Sequence, residues 1–161
     1  MAGHVYHELF VHLVWHTKQS EPMLAGELEP QVHDYLRRRC QMAKGLYIHA
    51  IDGTPTHVHL ALNYEPWWAV SEIVKDLKGA CSHDINAIAG QKVLEWQRGF
   101  GAVSFGKGNL GVVRKYIVSQ KQHHAKGMLH ERLERIAFDE ENDGKELGQR
   151  TADTDAAGDS V

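Results

Sequence analysis

The chain has 161 residues, a formal net charge of −3, 42% hydrophobic and 24% charged residues. These are ordinary proportions for a single globular domain with enough apolar material for a core, and they argue against a disordered or fibrous chain. No run approaches the ~20 apolar residues of a membrane span, and the start with His4, His7 and Glu8 lacks the basic and then apolar order of a signal peptide, so a cytoplasmic protein without membrane contact is expected.

Charge is unevenly placed. Residues 1–130 carry 14 Lys and Arg against 11 Asp and Glu, a net of +3; residues 131–161 carry 4 against 10, a net of −6. This predicts a mildly basic domain over 1–130 and an acidic, mostly disordered tail over 131–161. The plain reading of the tail is solvation; the sharper one is a nucleic-acid mimic competing for the basic face. Cys40 and Cys81, both in helix-like segments, read as reduced thiols in a cytoplasm, with one disulfide between them as the alternative.

Taken in chain order, Val5 to His16 alternates with period two and predicts a strand with one mixed face. Ser20-Glu21-Pro22 breaks it. Leu28 to Met42 reads as a helix, with Leu28, Val32, Tyr35, Leu36, Arg39 and Cys40 near one stripe and Gly45 as its stop. Leu46 to Ile51 is a second strand, Asp52-Gly53-Thr54-Pro55 a turn, and His57 to Asn63 a third strand forming a hairpin with the second. Trp68 to Ile88 reads as a long helix closed by Gly90. A fourth strand is expected near Ala102 to Phe105, then a flexible connection through Gly106, Gly108 and Gly111, then a last helix from Leu110 to Lys126. The first six elements spell a split βαβ pattern: an α+β, ferredoxin-like antiparallel sheet with two helices on one face, plus a C-terminal helix.

The chemistry concentrates at two places. In Thr56-His57-Val58-His59-Leu60 the two imidazoles stand at i and i+2 of a strand and share a face, while Val58, Leu60 and Leu62 take the other parity and face the helices. Such a pair can hold one divalent metal, although exposed histidines are common in a chain with 12 of them. Downstream, Tyr116 and Gln120 lie one turn apart on the last helix. Taken alone, Tyr116 packs and Gln120 is solvated. Taken with the histidines, two nitrogens and an amide oxygen suit Mg²⁺ or Mn²⁺ with open positions for a phosphate, and Tyr116 becomes a nucleophile toward phosphorus. A phenol with pKa near ~10 needs help at neutral pH; Arg114, Lys115, Lys121 and His124 are candidates.

Four segments carry a resemblance. Thr56-His57-Val58-His59-Leu60, Leu77-Lys78-Gly79 with Ser82, Trp96-Gln97-Arg98-Gly99-Phe100-Gly101-Ala102-Val103-Ser104, and Tyr116-Ile117-Val118-Ser119-Gln120-Lys121-Gln122-His123-His124 together resemble single-tyrosine transposases of the histidine-hydrophobic-histidine (HUH) type. Among these, the REP-associated tyrosine transposases and those of insertion sequences that move as single-stranded DNA are the likeness, over roughly residues 5–130. The resemblance implies a ferredoxin-like homodimer acting on single-stranded DNA with hairpin ends. It implies Mg²⁺ or Mn²⁺ on His57, His59 and Gln120, and Tyr116 cutting DNA to leave a 5′-phosphotyrosine and a free 3′-OH. Whether the tyrosine helix serves its own subunit or its partner does not follow from the sequence.

For DNA contacts the candidates are Lys78, Arg37, Arg38, Lys115 and Lys121; solvated helix faces are the alternative for the arginine run. Trp67, Trp68 and Trp96 either stack on bases or pack. The rival function is a domesticated protein that binds hairpin DNA without transposing. A histidine phosphoesterase on a similar fold fits poorly, because position 61 is alanine where a histidine triad needs a further histidine, and the pair offers no His-x-Thr/Ser motif where two copies are needed.

Overall fold

A computed structural model describes residues 4–125 and 131–135. The elements run β1 (Phe10–His16), α1 (Leu28–Met42), β2 (Leu46–Thr54), β3 (His57–Tyr64), α2 (Val70–Ala89), β4 (Gly101–Phe105), α3 (Leu110–Val118), α4 (Gln120–Ala125) and α5 (Glu131–Glu134). The strands form one sheet in the order β2-β3-β1-β4, and every pairing is antiparallel. This is the α+β, ferredoxin-like arrangement expected from the order of elements.

Strand alternation sorts the two faces. Val11, Leu13 and Trp15 of β1 and Val58, Leu60 and Leu62 of β3 are buried on one face. They pack with Val32, Leu36 and Cys40 of α1 and Ile73, Val74, Leu77, Cys81 and Ile85 of α2. These helical positions recur every three or four residues, so each helix turns one apolar stripe onto the sheet. α2 stops where Gly90 takes a left-handed φ of 70°, a conformation that costs a residue without Cβ little.

The opposite face carries His12, Val14 and His16 of β1 against His57, His59 and Ala61 of β3, by the register His12↔Ala61, Val14↔His59 and His16↔His57. α3 covers part of this face. Val113 and Ile117, one turn apart, pack on Ala50 and Ala61, whose small side chains let the helix approach closely.

Several boundaries differ from the expectation. β1 begins at Phe10, not at Val5. β2 continues to Thr54, which pairs with His57, so the hairpin turn is only Pro55-Thr56. The connection 107–109 is a turn of 3-10 helix. The single helix expected from Leu110 is interrupted at Ser119, whose hydroxyl donates to the Lys115 carbonyl at 2.6 Å and whose backbone leaves the helical region. Residue 126 and the tail from residue 136 onward lie outside the described residues. Among the described residues no helix is long and apolar enough to cross a membrane.

Candidate active site

The site stands on the face of the sheet turned away from α1 and α2. His57 and His59 occupy successive same-face positions of β3 and are both buried, at 4% and 0% exposure. Burying two imidazoles is costly unless their nitrogens are partnered, and the neighbouring strands and the hairpin turn supply the partners. His57 Nδ1 lies 2.9 Å from Thr56 Oγ1 and 3.0 Å from Thr54 Oγ1. His59 Nδ1 lies 2.8 Å from His12 Nε2. His16 stacks on His57 with ring centroids 4.6 Å apart and planes 11° from parallel. Each Nδ1 is thus held from behind, and each Nε2 points toward the same place.

That place holds the carboxylate of Glu134, from α5. Its Oε1 lies 3.3 Å from His59 Nε2 and its Oε2 3.5 Å from His57 Nε2. Tyr116 donates its hydroxyl hydrogen to Oε1 at 2.5 Å. Burial alone would raise the Glu134 pKa, but hydrogen bonds from His57 and His59 outweigh it and hold the carboxyl far below the usual range. The Tyr116 ring meets His59 edge-on, centroids 6.1 Å apart. The tyrosine helix therefore lies over the histidines of its own chain. Gln120 follows one turn later, fully buried, with its Nε2 donating to the Tyr116 carbonyl at 3.1 Å.

Ligand atoms of His57, His59 and Glu134 all lie within 4.8 Å of one another. With both Nδ1 atoms held, both Nε2 atoms are aimed at one point, as metal-ligating imidazoles are aimed by their outer partners, and a cation bound there would displace the Nε2 protons that face the Glu134 carboxylate. The donor chemistry therefore fits a divalent cation.

The expected DNA-contacting residues are spread over the molecule. Lys78, on α2, sends its ammonium to the carbonyls of Gln97 at 2.7 Å and Gly99 at 3.0 Å, and so pins the loop that leads into β4. Trp96 in that loop donates to the Lys78 carbonyl at 3.1 Å and meets Trp15 edge-on. Arg37 is exposed on α1; Arg38 pairs with Asp34 one turn earlier. Arg39, next to them, forms a two-pronged bridge to Asp76 of α2 at 2.8 and 3.1 Å. Lys115 is exposed on α3. Lys121 reaches Glu29 at 2.5 Å and Asp52 at 3.4 Å, tying α4 to α1 and β2. That bridge occupies the second cluster of possible metal-binding side chains, Glu29, His33 and Asp52.

Three contributors escaped the sequence reading. His12 and His16 share the parity of Phe10 and Val14 in β1, and pairing that strand against β3 would have put them beside His57 and His59. Glu134 had no such signal.

The family match and the similarity to a curated relative place the chain in a class of DNA-processing enzyme, the transposases. The chain belongs to the IS200-like transposase family, whose model matches residues 5–120. It is 30% identical over 125 residues to the ISDra2 transposase TnpA of Deinococcus radiodurans, covering 73% of this chain and 87% of that protein. Among solved structures it resembles a Deinococcus radiodurans R1 protein assigned as a transposase, with TM-score 0.58, 26% identity, and coverage of 74% of this chain and 95% of that one. It shares its fold with a REP-associated tyrosine transposase bound to a REP hairpin, with TM-score 0.54 and 15% identity over 99% of this chain and 93% of that one.

Proposed function

We propose that the protein is a metal-dependent transposase that cleaves and rejoins single-stranded DNA near hairpins through a 5′-phosphotyrosine at Tyr116. The observation that carries this is the convergence at one point: the Tyr116 hydroxyl reaches the carboxylate that both histidine Nε2 atoms face.

His57, His59 and the amide oxygen of Gln120 are the residues that would hold Mg²⁺ or Mn²⁺. The bound cation would polarise a phosphoryl oxygen and orient the scissile phosphate. Tyr116 Oη forms a bond to phosphorus as the bond from phosphorus to the 3′-oxygen breaks. The phenolic proton leaves to solvent and the departing 3′-oxygen takes one up as a free 3′-OH. Attack of a 3′-OH on the phosphotyrosine reverses the step, so strands are rejoined with no high-energy cofactor. Val113 and Ile117, locked on Ala50 and Ala61, hold the Tyr116 ring against His59 and supply the positioning part of the rate.

The family and the relative bound to a REP hairpin support this choice of substrate class. Arg37, Lys115 and the other surface cations contribute the sequence-independent attraction for phosphates. The reading has two copies of the chain act together on a hairpin, in the bacterial cytoplasm where such DNA is exposed.

The test is a denaturing gel of protein incubated with hairpin-bearing single-stranded DNA and Mn²⁺. A covalent adduct that disappears in Tyr116→Phe is expected. No adduct across a panel of hairpins would leave a hairpin-binding protein without cleavage, and an adduct retained in Tyr116→Phe would move the nucleophile elsewhere.

A further inference from the structure

We infer that Glu134 is the anionic oxygen ligand of the metal centre built on His57 and His59. The inference rests on the metal-dependent reading above and extends it to a residue beyond the segment 5–120 that the family model matches.

Three observations converge on this. The first is geometry. Each carboxylate oxygen faces one imidazole, Oε1 toward His59 Nε2 and Oε2 toward His57 Nε2, and the ligand atoms of the three side chains lie within 4.8 Å of one another. A cation placed among them meets two nitrogens and a carboxylate with little rearrangement.

The second is charge and hardness. Two imidazoles and an amide are a neutral donor set. Mg²⁺ and Mn²⁺ are hard cations that favour carboxylate oxygens, and Mg²⁺ in particular is bound through one or two of them. Glu134 supplies the negative charge that the other three lack, at only 16% side-chain exposure, where solvent screens it little.

The third is that the segment bearing Glu134 is seated on the sheet by contacts on both sides of it. Leu133 is buried at 7% exposure. The Arg135 carbonyl lies where a Cβ on Gly101 would stand, 1.8 Å from that position, so the bare backbone of β4 is what admits α5. The carboxylate is delivered by docked chain on either flank.

The opposite role is a plug, in which Glu134 takes the place of metal or phosphate and must withdraw. The two roles predict opposite effects of removing the charge.

The test is Mn²⁺ binding to the full-length protein without DNA, by isothermal titration and by the Mn²⁺-dependent rise in melting temperature, for the unmodified protein, Glu134→Gln, Glu134→Ala and His59→Ala. Far-UV circular dichroism checks that each variant is folded. Loss of affinity of about tenfold or more in both Glu134 variants is expected, with most of the Mn²⁺-induced thermal shift lost. Equal or tighter binding in the Glu134 variants, with the unmodified protein binding and His59→Ala impaired, overturns the inference and leaves the metal centre standing. No binding by the unmodified protein, or binding indifferent to His59→Ala, overturns the metal-dependent reading itself.

Discussion

His12 Nε2 and His59 Nδ1 lie 2.8 Å apart, both side chains fully buried, across two adjacent strands. The register sets His59 opposite Val14 and His12 opposite Ala61, so the contact is diagonal, and the small Ala61 side chain leaves the room for it. One imidazole donates and the other accepts. When His59 Nε2 offers its lone pair to a cation, Nδ1 carries the proton and His12 Nε2 accepts it. The contact thereby selects the tautomer that a metal ligand needs.

Replacing His12 by leucine removes that acceptor while keeping an apolar filler. Mn²⁺ affinity is expected to fall by about 10–100-fold, the usual cost of losing an outer partner of a ligating histidine. Stability is expected to fall by roughly 1–3 kcal/mol, because His59 Nδ1 loses its partner while buried. Isothermal titration and urea unfolding measure the two effects. Unchanged affinity would make the pair a packing contact only.

The order of elements was legible because period-two runs alternate with helical stripes, and six elements in that order admit few topologies. His57 and His59 were legible as a same-face pair because Val58, Leu60 and Leu62 demand the other face. His12 and His16 were not, because parity within one strand says nothing until the register with its neighbour is known. β2 extends further than its residue types suggest for a related reason: Asp52-Gly53-Thr54-Pro55 has turn-forming residue types, yet Asp52, Gly53 and Thr54 pair with His59, Val58 and His57. The break at Ser119 is a local competition between a hydroxyl and the backbone ladder that composition hardly records. Glu134 was invisible, because a helix of four residues has no periodicity and stands in an acidic stretch whose bulk charge reads as solvated tail.

Lys78 was expected at the DNA, and the structure gives its ammonium to two backbone carbonyls. Lys78→Met keeps most of the apolar stem and removes both bonds. A loss of about 1–3 kcal/mol is expected, the range for partners of a charged donor left without it, with looser hydrogen exchange in residues 96–99. Arg37→Ala, at an exposed site, is expected to leave melting unchanged while lowering hairpin affinity and flattening its dependence on salt. The reverse outcome, a Lys78→Met protein that melts normally and binds hairpins weakly, would make DNA the main partner of that ammonium.

Cys40 and Cys81 are completely buried, and burial pushes both thiols from 9.0 up to about 12. Only a trace of thiolate exists at pH 8, so the native protein is expected to resist a disulfide reagent and to titrate two thiols once unfolded in urea. The linkage has a definite sign. A folded pKa above the unfolded one contributes stability that is whole below about 9 and is lost as the pH rises toward about 12. Tyr35 adds to the same window: burial first, and then its hydrogen bond to Asp84, raise its phenol from 10.0 to about 12. Urea midpoints measured between pH 8 and 11 should fall with rising pH, and rapid labelling of the native protein at pH 8 would contradict the account.

Gly101 decides whether α5 can reach the site. A Cβ there would stand 1.8 Å from the Arg135 carbonyl and 2.8 Å from Val14 Cγ1. The second clash is with a side chain and is relieved by Val14→Ala; the first is with backbone and persists. Gly101→Ala in a Val14→Ala background is therefore expected to keep the sheet and both core helices while lifting α5. Leu133 then loses its burial, roughly 1.5–3 kcal/mol of transfer free energy for the docked segment, and protection of residues 131–135 from hydrogen exchange collapses. Mn²⁺ affinity should fall as it does in Glu134→Gln, and adding Glu134→Gln to the displaced variant should cost nothing further, since both changes remove one carboxylate. Additive losses would mean that Gly101 acts on the histidines by some other route, and an undiminished affinity with α5 displaced would remove Glu134 from the metal's ligands.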